Sequence, residues 1–251
     1  MEDMMTSPYL TYMITTEPFR MFSISHVCSL LLCALFLTLL YVYRHRLQPP
    51  YVDTVSRFLL AGVLATSEIA YHLWHIGTNT WSLREALPLQ LCSITLLMSI
   101  IMLVTSSYRL FELTFFAGLA GAGIALLTPE LFYPFPHFRF FHFFVAHEGI
   151  VLACLYMTWV KGYRPTISSV WKAMAALNVL LVVALLVNRW TGGNYLFVSH
   201  KPEQPSLMDY LGPYPWYILS LEVVALLLFT LLYLPFRVGK RNTARRHSID
   251  A

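Results

Sequence analysis

The sequence predicts an all-α, polytopic membrane bundle of about seven transmembrane helices, and three observations carry that prediction. Of the 251 residues, 57% are hydrophobic and only 12% are charged, against roughly 25% charge in an average soluble domain. The mean hydropathy is +0.60. Seven apolar runs approach or reach the ~20 residues that cross a bilayer: 23–43, 57–76, 85–106, 110–128, 140–160, 170–188 and 214–236. So little charge cannot clothe a soluble globule of this size, and so much hydrophobicity excludes a disordered chain. The net charge of +4 comes from 17 scattered basic residues, which make no nucleic-acid footprint.

Residues 1–22 read as an external N-terminal segment. They carry Glu2 and Asp3 and the single basic residue Arg20, so they lack the positive region of a signal peptide. Run one carries His26. Run two places Glu68, His72 and His75 at i, i+4 and i+7, on one helical face. Run three opens on Ser82-Leu-Arg-Glu85, a capping-box pattern that makes Glu85 a cap. Pro88 then falls one turn inside the helix, where proline removes a donor and kinks the backbone, and Cys92 follows a turn later. Run four is joined to run three around Ser106–Arg109 as a helical hairpin. Its GLAGAG at 118–123 suits close helix packing.

Run five follows TPELFYPFPHFR and FFHFF, an aromatic belt of the kind found at a membrane interface, and carries His142, His147 and Glu148. Run six holds Asn178 alone. Run seven holds Glu222 and follows a proline- and aromatic-rich loop, 189–216, which reads as ordered and suited to act as a lid. Residues 237–251 form a basic tail. No internal repeat divides the chain, so 1–251 reads as one integral membrane domain.

The basic residues set an expected orientation. Twelve of them, including Arg44, Arg46, Arg109, Lys161, Arg164 and the cluster Lys240–Arg246, fall on one side of a seven-span chain and five on the other. The bias alternates loop by loop, so the positive-inside rule places the N-terminus outside and the C-terminal tail in the cytoplasm.

Ionisable groups inside a bilayer are costly and mark sites. His26, Glu68, His72, His75, Cys92, His147 and Glu222 all fall within about two turns of the outer ends of their runs, with Gln90, Ser93, His142 and Glu148 beside them. The inner halves hold almost none. A thiol acts as a nucleophile when a histidine takes its proton and a third group orients the imidazole. Cys92, His147 and an acid such as Glu222 or Glu68 fit that logic. His142 lies five residues before His147, about 140° around the helix, and nearer the aromatic belt. It is therefore the less favoured base. Cys28, Cys33 and Cys154 read as small buried hydrophobes. Two other readings use the same groups. Glu68, His72 and His75 offer zinc-ligand chemistry for a membrane hydrolase, although no HExxH is present. A Glu/His relay also suits a small-molecule transporter or a lipid-binding protein, although the polar groups stay in one leaflet.

LPLQLCS at 87–93, HFRFFHFFVAHEG at 137–149 and NYLFVSHKPEQPSLMDYLGPYPWYILSLE at 194–222 resemble the YwaF-type integral membrane proteins of bacteria. That family is similar to a eukaryotic transmembrane acyltransferase that moves acyl chains between phospholipids, and more distantly to membrane hydrolases of fatty-acid esters of hydroxy fatty acids. The resemblance implies a multi-pass protein of a bacterial cell membrane and a cysteine–histidine acyl transferase or acyl-ester hydrolase. Cys92 and His147 would be catalytic. Glu68, His72, His75, Gln90, Ser93, His142, Glu148 and Glu222 would support them or bind a membrane phospholipid or other acyl lipid. No cofactor or metal is implied.

Overall fold

The computed structural model describes residues 7, 9–12, 18–202 and 207–247. Among these residues, seven α-helices and two short 3-10 turns make up the regular structure. They are α1 (Ile24–Tyr43), α2 (Pro50–Gly77), α3 (Leu91–Thr105), α4 (Tyr108–Leu127), α5 (Phe138–Trp159), α6 (Ile167–Thr191) and α7 (Trp216–His247), with 3-10 turns at Tyr195–Phe197 and Leu207–Leu211. Among the described residues there is no β-strand. Helices α1, α4, α5, α6 and α7 are long and apolar enough to cross a membrane. Helix α3 is apolar but only 15 residues long. Helix α2 has 28 residues but carries Asp53, Arg57, Glu68, His72 and His75.

Helix α5 is the axis of the bundle. Its membrane-length window is 72% buried, against 11% for α1 and 17% for α6. It packs on α1, α2, α3 and α4, while α6 and α7 join through α4. Small residues permit this close packing. A Cβ on Gly118 would meet Ile150 Cγ2 at 2.9 Å, and one on Gly121 would meet Leu91 Cδ2 at 3.1 Å. The glycines of GLAGAG thus seat α4 against α5 and α3, as the sequence suggests, with Gly123 facing open space.

One expected boundary is wrong in a way that matters. The chain from Thr78 to Gln90 is not helical. Ser82 caps no helix; its carbonyl only closes turns to Glu85 N and Ala86 N. Glu85 accepts from Tyr12 Oη at 3.5 Å. Pro88 therefore kinks nothing: it stands before α3, whose first backbone bond runs from Ile94 N to Gln90 O. At the other terminus α7 continues past residue 236, through Pro235, to His247.

The end of the bundle opposite the long loops is more polar than the sequence suggests, because α2 begins seven residues earlier than expected. Asp53 is only 5% exposed. It accepts from Arg57 Nε at 3.1 Å, from Lys161 Nζ at 2.9 Å and from Tyr156 Oη at 3.1 Å. Arg57 also donates to Leu103 O. This network ties α2, α3, α5 and the turn after α5. A second buried acid, Glu112, takes Lys172 Nζ at 2.8 Å and Ser169 Oγ at 2.6 Å, pinning α4 to α6.

Candidate active site: a cysteine and a histidine at the start of a short helix

Among the described residues, the loop-rich end is built by 9–12, 18–23, 78–90, 128–137, 192–202 and 207–215. His137, which caps α5, joins two of these segments. Its Nδ1 accepts from Arg139 N at 3.0 Å and its Nε2 meets Thr11 O at 2.9 Å. Burial holds this imidazole below its ordinary range. Burial likewise pushes the Tyr133 phenol up to about 12; its Oη donates to Tyr12 O. Tyr195, fully buried, receives Leu87 N at 3.0 Å and donates to Leu83 O at 2.9 Å. Asn188 of α6 brackets it, accepting from Tyr195 N and donating to Tyr195 O. Leu196 N donates to Gln90 Oε1 at 3.0 Å. A Cβ on Gly193 would strike Arg84 O at 2.6 Å. The first part of the loop expected as a lid, at 193–196, is thus fastened along 82–90, the unwound approach to Cys92.

That approach sets Cys92 in the first turn of α3, with Gln90 as the N-cap residue. First-turn N–H groups have no partner within their helix. From α5, His147 Nε2 reaches to 3.0 Å from Cys92 Sγ, and His147 Nδ1 lies 2.7 Å from Phe143 O. A carbonyl only accepts, so Nδ1 carries the proton and the Nε2 lone pair faces the thiol. The ring is therefore oriented by a backbone carbonyl one turn back, not by a carboxylate. Phe143 also packs its ring on the imidazole, with centroids 4.1 Å apart.

The other expected site residues do not all gather at this pair. Glu68, His72 and His75 do share a side of α2. Glu68 Oε1 is 3.5 Å from His72 Nε2, while Trp81 Nε1 donates to His72 Nδ1 and Thr80 Oγ1 holds His75 Nδ1. His142 stacks on Tyr71 with centroids 4.6 Å apart and accepts from Arg139 Nη1 at 2.8 Å. Glu148 is buried, and one of its oxygens is without a hydrogen-bond partner among the described residues. Ser93 follows Cys92 half-buried, and Gln90 spends its carbonyl on Leu196. Glu222 goes elsewhere: it accepts from Asn178 Nδ2 at 2.9 Å, so Asn178 is not alone and the acid does not orient His147. His26, another polar group of the same layer, is consumed by Phe22 N and Leu126 O. Among the described residues no three His, Cys, Asp or Glu side chains form a metal-holding group, so the zinc arrangement at Glu68, His72 and His75 is not assembled. Sequence reasoning missed Arg139, the helix start at Cys92, and Phe143 O. The first had a signal, a lone cation inside an aromatic run. A backbone carbonyl has none.

The TMEM164 family profile matches residues 21–233. An uncharacterized protein of Treponema pallidum (strain Nichols) is 30% identical over 167 residues, covering 64% of this chain and 66% of that protein. The chain thus spans just under two thirds of that relative's length. No solved structure matches the chain.

Proposed function

The chain belongs to the TMEM164 family of membrane proteins, and the apolar helices are those of a multi-pass protein. Starting from that premise, we propose that it is a cysteine-dependent lipid acyltransferase or acyl-ester hydrolase, related to the YwaF-type proteins and seated in a bacterial cell membrane. The single observation that carries the reading is the 3.0 Å contact between Cys92 Sγ and His147 Nε2, with Nδ1 committed to Phe143 O.

In this reading all seven helices span, the N-terminus is outside and the basic tail is cytoplasmic. Helix α3 has 15 residues, a rise of about 22 Å, against a hydrocarbon core of about 30 Å. The non-helical stretch 78–90 makes up the difference, so Cys92 lies below the outer surface, at the depth of lipid ester groups rather than in bulk water. His147 takes the thiol proton as Sγ attacks the ester carbonyl. The tetrahedral oxyanion faces the free N–H groups of the first turn of α3, whose positive end favours negative charge. The Gln90 amide and the Ser93 hydroxyl are further donors within the same turn. Collapse breaks the ester C–O bond and leaves a thioester on Cys92, while the departing alcohol takes the proton from His147. An acceptor alcohol, or water, then gives its proton to His147 and attacks the thioester; the C–S bond breaks and Cys92 Sγ leaves, taking that proton from His147. Glu68 and His72 stand by as positioning groups.

The test is covalent. Purified protein in nanodiscs is offered a phospholipid with a radiolabelled acyl chain, and protein-bound label is measured before and after neutral hydroxylamine. The expected result is hydroxylamine-labile label on the wild type and none on Cys92→Ala. His147→Ala should label about 10²–10⁴ times more slowly, the usual contribution of a positioned base. Label on Cys92→Ala equal to that on the wild type would sink the reading.

A further inference from the structure

A groove of about 600 Å³ runs between α2 and α5 on the outside of the bundle, within the ~300–1,000 Å³ of small-molecule sites. Phe58, Leu59, Val63, Phe141 and Val145 make it apolar, and His142 lines it near the loop-rich end. On α2 it extends from Phe58 to Ala70, about 18 Å at the helical rise. A bilayer core of about 30 Å is two acyl chains deep, so the groove is the length of one chain. Gly62 lies midway along it, and a Cβ there would meet nothing within 4 Å. The groove is open where any side chain would fill it.

Its polar end is unsatisfied in a specific way. Arginine only donates, so the 2.8 Å contact from Arg139 Nη1 makes His142 Nδ1 the acceptor and leaves the ring proton on Nε2. That Nε2–H is buried and has no acceptor among the described residues, and a buried donor left unpaired is costly. Arg139 itself lies 4.5 Å over the Tyr71 ring and 5.7 Å over Trp74. Among the described residues no carboxylate stands within ion-pair distance of it. A guanidinium without a carboxylate partner among the described residues, beside an imidazole N–H, matches the oxygens of a phosphodiester and its neighbouring ester. The Tyr71–His142 stack also joins this end to the Glu68, His72 and His75 side of α2, since Tyr71 meets His72 and His75 as well.

We infer that the α2–α5 groove holds one long acyl chain of a phosphate-bearing ester lipid, with Arg139 and the His142 Nε2–H taking the oxygens at its polar end. The inference rests on the lipid-ester reading of the Cys92–His147 pair and adds to it the place and chemistry of the substrate. His142 is thereby a donor to the ligand and not the base.

The experiment uses the full chain carrying Cys92→Ala, so that binding is read without turnover. It is reconstituted in neutral-lipid nanodiscs containing a trace of phosphatidylglycerol with a mid-chain diazirine, irradiated, and mapped by peptide mass spectrometry. Cross-links should concentrate on 58–70 and 138–145, and Gly62→Leu should cut them at least tenfold, equal to about 1.4 kcal/mol of binding. A diacylglycerol with the same photoreactive chain should label less. Arg139→Gln should erase the difference between the two lipids, and Arg139→Lys should keep part of it. Cross-links spread over α1 and α6 in proportion to their exposure, or unchanged by Gly62→Leu, overturn the groove. Equal labelling by the two lipids in the otherwise unaltered chain overturns the phosphate site. Acylation of Cys92 without groove labelling refutes this inference alone, whereas groove labelling without acylation refutes the reaction alone.

Discussion

Gly149 stands two residues after His147, where α5 meets α2. A Cβ at this position would lie 2.5 Å from Leu64 Cδ2 and 3.2 Å from its Cγ. Carbon atoms rest about 3.5–4.0 Å apart, so Gly149→Ala requires an opening of at least about 1 Å. Leu64 is fully buried and has little room to turn, so the helices must separate or the leucine must leave its rotamer. Overpacking of that kind costs about 1–3 kcal/mol, which lowers the melting temperature of a chain this size by about 2–4 °C per kcal/mol. The assay is thermal unfolding in one detergent of four proteins: wild type, Gly149→Ala, Leu64→Ala and the double variant. Leu64→Ala alone leaves a cavity and costs about 2–5 kcal/mol. The double variant should be more stable than the sum predicts, since the new methyl enters the space vacated by the leucine. Additivity within about 0.3–0.5 kcal/mol would refute the claim that this contact sets the α2–α5 spacing.

Three other outcomes follow from the geometry. Tyr195→Phe removes a buried hydroxyl that serves both Leu87 N and Leu83 O. It should cost about 1–3 kcal/mol and slow acylation of Cys92, read as melting temperature and labelling rate. Asp53→Asn leaves Arg57 and Lys161 without their shared anion. The loss should approach the ~3–5 kcal/mol of a broken buried pair, measured by thermal unfolding. His137 is held neutral by burial, below its ordinary range. Its unfolded form takes up a proton first as pH falls, so stability is fully present above about pH 6.5 and declines below it toward the lowered folded value. A melting-temperature profile should show that decline, and His137→Asn should flatten it.

The helical class and the meeting of α3 with α5 were legible because they depend on apolar run length and on depth along each run. Cys92 and His147 lie about two turns into runs that enter from one side, so depth alone brought them together. The start of α3 was not legible, since LPLQLCS is equally apolar whether wound or extended. The turn after Thr78 and the clasp of Tyr195 decide it, and both are tertiary. Sequence pattern also overcounted candidates. His26 and His75 are satisfied by backbone groups or threonine, partners that carry no readable spacing. It undercounted the opposite end, where the helix of Arg57 begins seven residues before the expected run and carries Asp53 in its first turns. Arg139 was counted only as one of the basic residues that set topology, whereas its stacking on Tyr71 depends on the rotation of α2 relative to α5.

The Asp53 network gives the bundle a mechanical asymmetry. It rivets α2, α3 and α5 at one end with charges that cannot part cheaply, while at the far end α2 and α5 are joined by ring stacks and single hydrogen bonds around Tyr71, His142 and Arg139, and α3 meets α5 through Cys92 and His147. A structure fixed at the base and lightly held at the tips behaves as a pair of tweezers. A small splay of α2 from α5 would therefore open at the end where Cys92 and His147 lie and leave the Asp53 network undisturbed.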